Sequence, residues 1–248
     1  MKSIEQNYED FISTVSHELR TPLTSIRGFS QTLLSSWDKL DDESKKKFLK
    51  IIEEQSNRLI HLVENMLSVT KLQDTNSTIC FNDVNIKSIV EQVITILKNQ
   101  YPTQVFEQDY RGNSLNVFVD KDKFQQIITN LLENSAKYSI SDNKTTISTK
   151  LLENKIIISV SNIGLNITQG DKEKIFTKFA RIDSPLTRKV QGSGLGLYIT
   201  KTLVEKMNGS IDVEIKQLES NKELAKITFM ISFPNLNIEE KARLKCNL

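Results

Sequence analysis

Along the first seventy positions apolar residues recur at alternating separations of four and three, and few patterns leave a chain so little choice of fold. Tyr8, Ile12, Val15, Leu19, Pro22, Ile26, Phe29 and Leu33 follow that alternation. It draws one stripe down one side of an α-helix, the seam of a coiled coil or helix bundle. After the polar stretch 35–47 a second seam runs through Phe48, Ile52, Gln55, Leu59, Leu62, Met66 and Val69, so the segment reads as a helical hairpin. Asp41 or Asp42 is placed to cap the second helix, because a short carboxylate accepts from the free amides of a first turn and favours the positive end of the dipole. Two helices with one stripe each cannot cover both stripes well alone. A symmetric homodimer closing a four-helix bundle is the economical solution.

Pro22 sits inside the first seam, where it removes a backbone donor and crowds the preceding turn, so a bend or local unwinding is expected near 18–22. With Leu19 and Ile26 in the first heptad position, His17 takes the position farthest from the seam and should face solvent. The chain has only two histidines. The other, His61, also falls outside its seam, has no motif around it, and reads as a surface residue.

Beyond a polar linker at 73–78 the period changes. Strand-like runs occur at 79–84, 117–120, 145–152, 156–161, 211–215 and 226–233, with helical stretches at 86–100, 121–137 and 195–207. Strands and helices mixed without strict alternation predict an α+β sandwich with helices on one face of a largely antiparallel sheet. The length of 248 residues allows one to two domains. The expected division is a hairpin over 1–74, a mixed domain over 79–236 and a C-terminal tail over 237–248. With 38% apolar and 26% charged residues, disordered and fibrous classes are excluded. A net charge of +2 gives no overall field for nucleic acid or anionic lipid, so no nucleic-acid partner is expected and any polyanion site must be local. Cys80 and Cys246 have no disulfide or zinc-ligand spacing. No apolar run approaches the ~18 residues of a membrane span. The expectation is therefore a cytoplasmic chain without membrane contact of its own, either soluble throughout or the cytoplasmic portion of a membrane-anchored sensor.

Two constellations can carry chemistry. Three of the eight glycines fall in Gly192-Ser193-Gly194-Leu195-Gly196, directly before an apolar helical run. Free amides at a helix N-terminus behind glycines converge on a phosphate, and the dipole favours its charge; a tight turn with close packing is the plainer alternative. Upstream, Asn130, Asn134 and Lys137 share one helix face. Carboxamide oxygens can ligate Mg²⁺ while a lysine neutralises phosphate. Polar residues on a helix often form only a solvated face, but Ile127, Ile128, Leu131 and Leu132 place these amides at the margin of a buried surface.

Taken together, these pieces resemble a known family. The run from Ser16 through His17, Glu18, Leu19, Arg20, Thr21 and Pro22 to Leu23 resembles the phosphoacceptor box of sensor histidine kinases, and Asn130 to Tyr138 resembles their asparagine box. Phe176, Phe179 and Arg181 are similar to the phenylalanine box, and Gly192 to Leu197 to the second glycine box. The resemblance covers nearly the whole chain. It implies a dimerisation and phosphotransfer hairpin followed by a Bergerat-type ATP-binding domain, an α/β sandwich with a mixed sheet. It further implies ATP-dependent phosphorylation of His17 and transfer to an aspartate on the receiver domain of a response regulator, with regulator phosphatase activity as a companion. His17 would be the nucleophile and Glu18 its general base. Thr21 matches the residue that positions water for dephosphorylation, or simply caps the turn before Pro22. Asn130 and Asn134 would hold Mg²⁺, Lys137 would meet phosphate, and Tyr138 would line the base or ribose. Phe179 would help bind the nucleotide, Arg181 and the basic stretch 183–191 would form a mobile lid, and Gly192, Gly194, Leu195 and Gly196 would cradle the phosphates.

The first glycine box departs from the family pattern. Gly164 stands, but Asn162 replaces the aspartate that accepts from the adenine amine, and Asn166 replaces a second glycine. Asn162 can still accept through its carbonyl oxygen, without charge assistance worth about 1 kcal/mol. Asn166 tolerates left-handed backbone better than most residues, should the loop require it. The rival expectation is a degenerate scaffold, or a phosphatase-biased member, that dimerises and docks a regulator but binds ATP weakly.

Overall fold

In the computed structural model, residues 2–73, 78–110, 116–140, 143–180 and 193–246 are described. The chain divides into two compact units, 1–71 and 72–248.

The first unit is a helical hairpin. Helix α1 spans Lys2–Ser36 and α2 spans Asp42–Gln73, joined by a single 3-10 turn at Trp37–Lys39. The seam forms the inner face: Val15, Pro22, Leu33, Leu62 and Val69 are buried, and Leu19, Ile26, Phe29, Phe48, Ile52, Leu59 and Met66 are half-buried. Phe29 meets Phe48 with ring centroids 5.1 Å apart, and Glu18 meets Arg58 at 3.3 Å. As one partner's number rises by eleven the other's falls by ten, as antiparallel helices in one register demand. Asp41 is the cap of α2. Its Oδ1 accepts from the Ser44 amide at 2.7 Å and its Oδ2 from the Ser44 hydroxyl at 3.2 Å, and these bonds hold its carboxyl below the ordinary carboxylate value. Helix α1 is continuous through Pro22, so the local unwinding expected there does not occur. Several apolar groups of the hairpin stay uncovered: Ile12, Leu23, Leu49, Ile60, Val63 and Leu67 are 42–54% exposed. Ile60, Val63 and Leu67 have three-four spacing of their own, a second apolar stripe beside the seam.

The second unit layers helices on a mixed sheet. In chain order come β1 (Phe81–Asn85), α3 (Ile86–Gln100), β2 (Val105–Tyr110), β3 (Asn116–Asp120), α4 (Lys121–Tyr138), β4 (Lys144–Leu152), β5 (Lys155–Leu165), α5 (Gln169–Lys172), α6 (Gly196–Lys206), β6 (Ser210–Gln217), β7 (Leu224–Pro234) and α7 (Ile238–Cys246). The main sheet has the order β2-β4-β5-β7-β6, with β2 parallel to β4 and the other pairs antiparallel, while β1 and β3 form a separate antiparallel pair. The expected sandwich with a mixed, largely antiparallel sheet is the fold observed. Its core lies where α4 packs on β5 and on α6. Phe124, Ile127, Ile128, Leu131 and Leu132 from α4, Leu203 and Val204 from α6, and Ile158 and Val160 from β5 are all fully buried there.

Asp120 shows how sequence starts α4. Its Oδ1 accepts from the amides of Asp122 and Lys123 at 3.1 Å, a helix cap, and its Oδ2 accepts from the Cys80 amide at 3.0 Å. One carboxylate thus fixes the start of α4 and anchors the chain where it enters β1. Among the labelled strands and helices three were not expected: β2, the single-turn α5 and α7. Strand β2 carries the polar run Val105-Phe106-Glu107-Gln108-Asp109-Tyr110 on a sheet edge, where half-exposure removes the alternation that marks inner strands. Helix α7 follows β7, and its Lys241 pairs with Asp83 on β1 and lies over the Phe118 ring.

Candidate functional site

Helix α4 delivers the two asparagines. Asn130 and Asn134 lie one turn apart and are half-buried. The Asn130 Nδ2 donates to the carbonyl of Gly196 and to Oγ1 of the buried Thr200, both at 3.3 Å. Only nitrogen can donate to a carbonyl, so these bonds fix the amide and leave Oδ1 as the end offered to a ligand. A Cβ placed on Gly196 would lie 3.8 Å from the Asn130 side chain, 3.9 Å from Asn134 Nδ2 and 4.0 Å from Asn130 Oδ1. The start of α6 and both asparagines therefore converge, although some sixty residues of chain separate them. Leu195 at the N-cap is fully buried, and no side chain caps α6, so the amides of its first turn point at the same place without a capping acceptor. Carboxamide oxygens beside uncapped helix amides suit a hard divalent cation bound together with phosphate oxygens.

Gly194 has φ +67° and lies against Phe179, itself at φ +59°. A Cβ on Gly194 would stand 2.7 Å from the Phe179 carbonyl carbon, 2.8 Å from its Cα and 3.0 Å from the Ala180 oxygen. The glycine loop and the phenylalanine segment thus touch backbone to backbone, which only glycine permits. Phe176 anchors that segment by meeting Phe229 of β7 edge-on, 6.4 Å between centroids. Lys137 pairs with Glu133 at 2.7 Å, and Tyr138 is half-buried. Arg181, Gly192 and the stretch 183–191 lie outside the described residues.

The end of β5 supplies the third wall. Asn162 is only 5% exposed, and its Nδ2 has no hydrogen-bond partner among the described residues. Gly164 allows a close approach, since a Cβ there would lie 2.7 Å from the Tyr138 carbonyl oxygen and 3.2 Å from Asn162 Nδ2. Asn166 does not occupy the left-handed region, so the position has no need of glycine. Its amide nitrogen donates to the Glu223 carbonyl at 2.8 Å and its side chain to the Lys222 carbonyl at 3.4 Å, which ties the end of β5 to the turn before β7. Of the two departures from the family's first glycine box, Asn162 is the buried one, with a side-chain nitrogen that meets no acceptor among the described residues.

On the hairpin His17 is exposed, and its imidazole makes no hydrogen bond to another described residue. It borders an open depression lined with Arg20, Thr21, Thr24 and Ser25. The Thr21 hydroxyl donates to the His17 carbonyl at 3.3 Å, back-bonding into the turn where Pro22 removes a donor. The Glu18 carboxylate turns toward α2 and accepts from Arg58 at 3.3 Å, both side chains about one-fifth exposed. Sequence reading missed Arg58; its signal was its place opposite Glu18 once the helices are set antiparallel. His61 is an exposed surface residue beside Glu64 at 3.4 Å, in keeping with its reading.

Known proteins match this arrangement along most of the chain. The profile of the His Kinase A (phospho-acceptor) domain matches residues 8–75, and that of the Histidine kinase-, DNA gyrase B-, and HSP90-like ATPase matches 119–236; the latter makes 119–236 an ATP-binding domain. The signal transduction histidine-protein kinase ArlS of Staphylococcus epidermidis (strain ATCC 12228) is 32% identical over 241 residues, 96% of this chain and 51% of the relative. The sensor protein kinase WalK of Staphylococcus saprophyticus is 32% identical over 213 residues, 85% of this chain and 35% of the relative. The chain thus spans between about a third and a half of such relatives. In fold it is similar to the Acinetobacter baumannii histidine kinase AdeS, with TM-score 0.66, 24% identity and coverage of 89% and 98% of the two chains. It is also similar in fold to the histidine kinase ThkA, solved in complex with the response regulator protein TrrA, with TM-score 0.71, 22% identity and coverage of 95% and 64%. Among the described residues no helix is long and apolar enough to cross a membrane.

Proposed function

The chain belongs to the sensor histidine kinases of two-component systems, and from that premise we propose that it phosphorylates its own His17 from ATP and passes the phosphoryl group to an aspartate on a response regulator. The observation that carries this reading is the convergence of Asn130, Asn134 and the uncapped start of α6, in a chain that also presents an exposed, unpaired histidine. The reading divides labour at about residue 75, with transfer on the hairpin and nucleotide binding on the sandwich.

Asn130 Oδ1 and Asn134 would hold Mg²⁺, which would supply positive charge to offset that of the triphosphate. Asn130 needs no reorganisation for this, because Gly196 and Thr200 already aim its oxygen. The first-turn amides of α6 would receive phosphate, and Lys137 would reach it by releasing Glu133. In the transfer a ring nitrogen of His17 attacks the γ-phosphorus, the N–P bond forms as the bond to the bridging oxygen breaks, and ADP leaves. Glu18 accepts the proton released by the imidazole. In this structure that carboxylate is engaged by Arg58, so it must exchange one partner for the other. Thr21, whose hydroxyl lies beside His17 on the same face, would position water for the reverse task of clearing the regulator's aspartyl phosphate.

Two copies would associate through the hairpin, covering the second stripe at Ile60, Val63 and Leu67. The hairpin would also offer the docking site for a regulator; ThkA, whose fold this chain shares, is solved in complex with the response regulator protein TrrA. The scaffold alternative rests on Asn162 alone, because Asn166 is unstrained. Incubation with Mg²⁺ and γ-labelled ATP should place acid-labile label on the wild type, with none on His17→Gln and little on Asn134→Ala. A folded wild type that takes up no label would leave the scaffold as the better reading.

A further inference from the structure

Three buried side-chain polar atoms among the described residues have no hydrogen-bond partner: Ser135 Oγ, Ser139 Oγ and Asn162 Nδ2. They are not scattered. Ser135 and Ser139 lie one turn apart where α4 ends, and Asn162 lies on β5, joined to that end by the bond from the Ile140 amide to the Ile163 carbonyl at 2.9 Å. The close approach of the Tyr138 carbonyl and Asn162 Nδ2 around Gly164 closes the junction. Buried polar groups are normally satisfied, so a cluster left unsatisfied at one junction marks where a polar ligand belongs. This inference rests on the nucleotide reading above and on the family resemblance, which sets the adenine amine against position 162.

What distinguishes this junction is that its groups do not dictate hydrogen-bond direction. A carboxylate only accepts, whereas a carboxamide offers a donor and an acceptor, and a hydroxyl can do either. A 6-aminopurine presents a donor at C6 and an acceptor at N1; a 6-oxopurine presents the reverse. An aspartate facing the 6-position would accept from the amine and repel the oxo oxygen. The Asn162 amide can meet either edge by a half-turn about its last torsion, which exchanges nitrogen and oxygen with almost no change of shape. Asn130 cannot do this, because its nitrogen is held by Gly196 and Thr200. No group among the described residues holds the Asn162 nitrogen, so the ligand determines which end of the amide it meets. We infer that Asn162 sets the base selectivity of this site, and that the chain accepts 6-oxopurine nucleoside triphosphates as well as ATP.

The test is equilibrium binding of ATP, ITP and GTP to the purified chain with Mg²⁺, for the wild type and for Asn162→Asp. ITP differs from ATP at the 6-position and N1 alone, so it is the direct probe; GTP adds an amino group at C2. The wild type should bind ITP within about fivefold of ATP, less than a 1.4 kcal/mol preference. Asn162→Asp should widen the ATP-to-ITP ratio by about tenfold or more, as the charged acceptor strengthens the amine contact and rejects the oxo group. GTP binding like ITP supports the inference, and weak GTP beside tight ITP also supports it, locating the exclusion at C2. Wild-type ITP binding more than about a hundredfold weaker than ATP would overturn it while leaving the kinase reading intact. An aspartate variant with an unchanged ratio would overturn it equally. If no nucleotide binds, ATP included, both readings fall together. The wild-type ratio decides even if the variant does not fold.

Discussion

Gly194→Ala is the substitution whose cost the structure specifies most closely. Two independent penalties add. At φ +67° an alanine pays about 1–2 kcal/mol that glycine does not. Its Cβ would also stand 2.7 and 2.8 Å from Phe179 backbone carbons and 3.0 Å from the Ala180 oxygen, where ordinary carbon contacts begin at about 3.5 Å. No flexible side-chain end is involved, so backbone must separate, and overpacking of this kind costs about 1–3 kcal/mol. The sum, about 2–5 kcal/mol, is a large share of the 5–15 kcal/mol that holds a domain folded. The junction between the glycine loop and the phenylalanine segment is the cheapest place to yield. Much of the cost should therefore appear as lost nucleotide affinity, since about 2 kcal/mol corresponds to roughly thirtyfold. Titration of ATP with Mg²⁺, paired with urea unfolding of the same protein, reads both parts. Wild-type affinity together with unfolding within about 0.5 kcal/mol of wild type would refute the contact geometry and the place given to this loop in the site.

Two further outcomes follow from pairings the structure fixes. Arg58→Ala releases Glu18 from the ion pair at 3.3 Å; a partly exposed pair is worth up to about 1 kcal/mol, so autophosphorylation at saturating ATP should rise up to about fivefold with KM for ATP unchanged. A fall in that rate, restored by Arg58→Lys, would show that the arginine positions Glu18 instead of withholding it. Burial, with a smaller contribution from Glu133, raises the Tyr101 phenol well above its ordinary value, and burial with help from Glu91 pushes Tyr110 up to about 12. Both groups stay protonated in the folded chain at pH values where the unfolded chain has lost its protons. Their contribution is complete below about pH 10, the ordinary tyrosine value, and is lost as pH rises from there through the raised values. Urea unfolding should show a decline above about pH 10 that is shallower in the Tyr101→Phe, Tyr110→Phe double variant; an equal decline in both proteins would contradict the burial assigned to these rings.

Much of this architecture is written in periodicity. The three-four seam specifies the hairpin and turns His17 outward, because a heptad assigns every residue a side. Helices α3 and α4 occupy almost the predicted spans since their apolar faces and capping residues, Asn85 and Asp120, act locally. Strand β2 escaped because an edge strand with one partner need not alternate, and β5 runs past its predicted end to Leu165 because Asn162 and Gly164 look like loop residues until β7 pairs with them. The asparagines of α4 and the glycines before α6 were legible as chemistry. Their meeting was not, since it depends on how α4 and α6 pack. The pairing of Glu18 with Arg58 likewise needs the register between two helices. Asn166 could have tolerated a left-handed backbone, but the loop does not require one, because the backbone angle at one position is decided by the turn it joins, here through Glu223 and Lys222.

The central claim is that His17 is the atom-level destination of the phosphoryl group. Mapping the phosphorylated residue after incubation with Mg²⁺ and ATP, by peptide mass spectrometry under neutral conditions that preserve phosphohistidine, tests it directly. The account predicts one phosphorylated peptide, carrying the group on His17, which empties when a cognate receiver domain is added. Phosphate on His61, on Ser16 or Thr21, or on no residue of a folded, ATP-bound protein would contradict it.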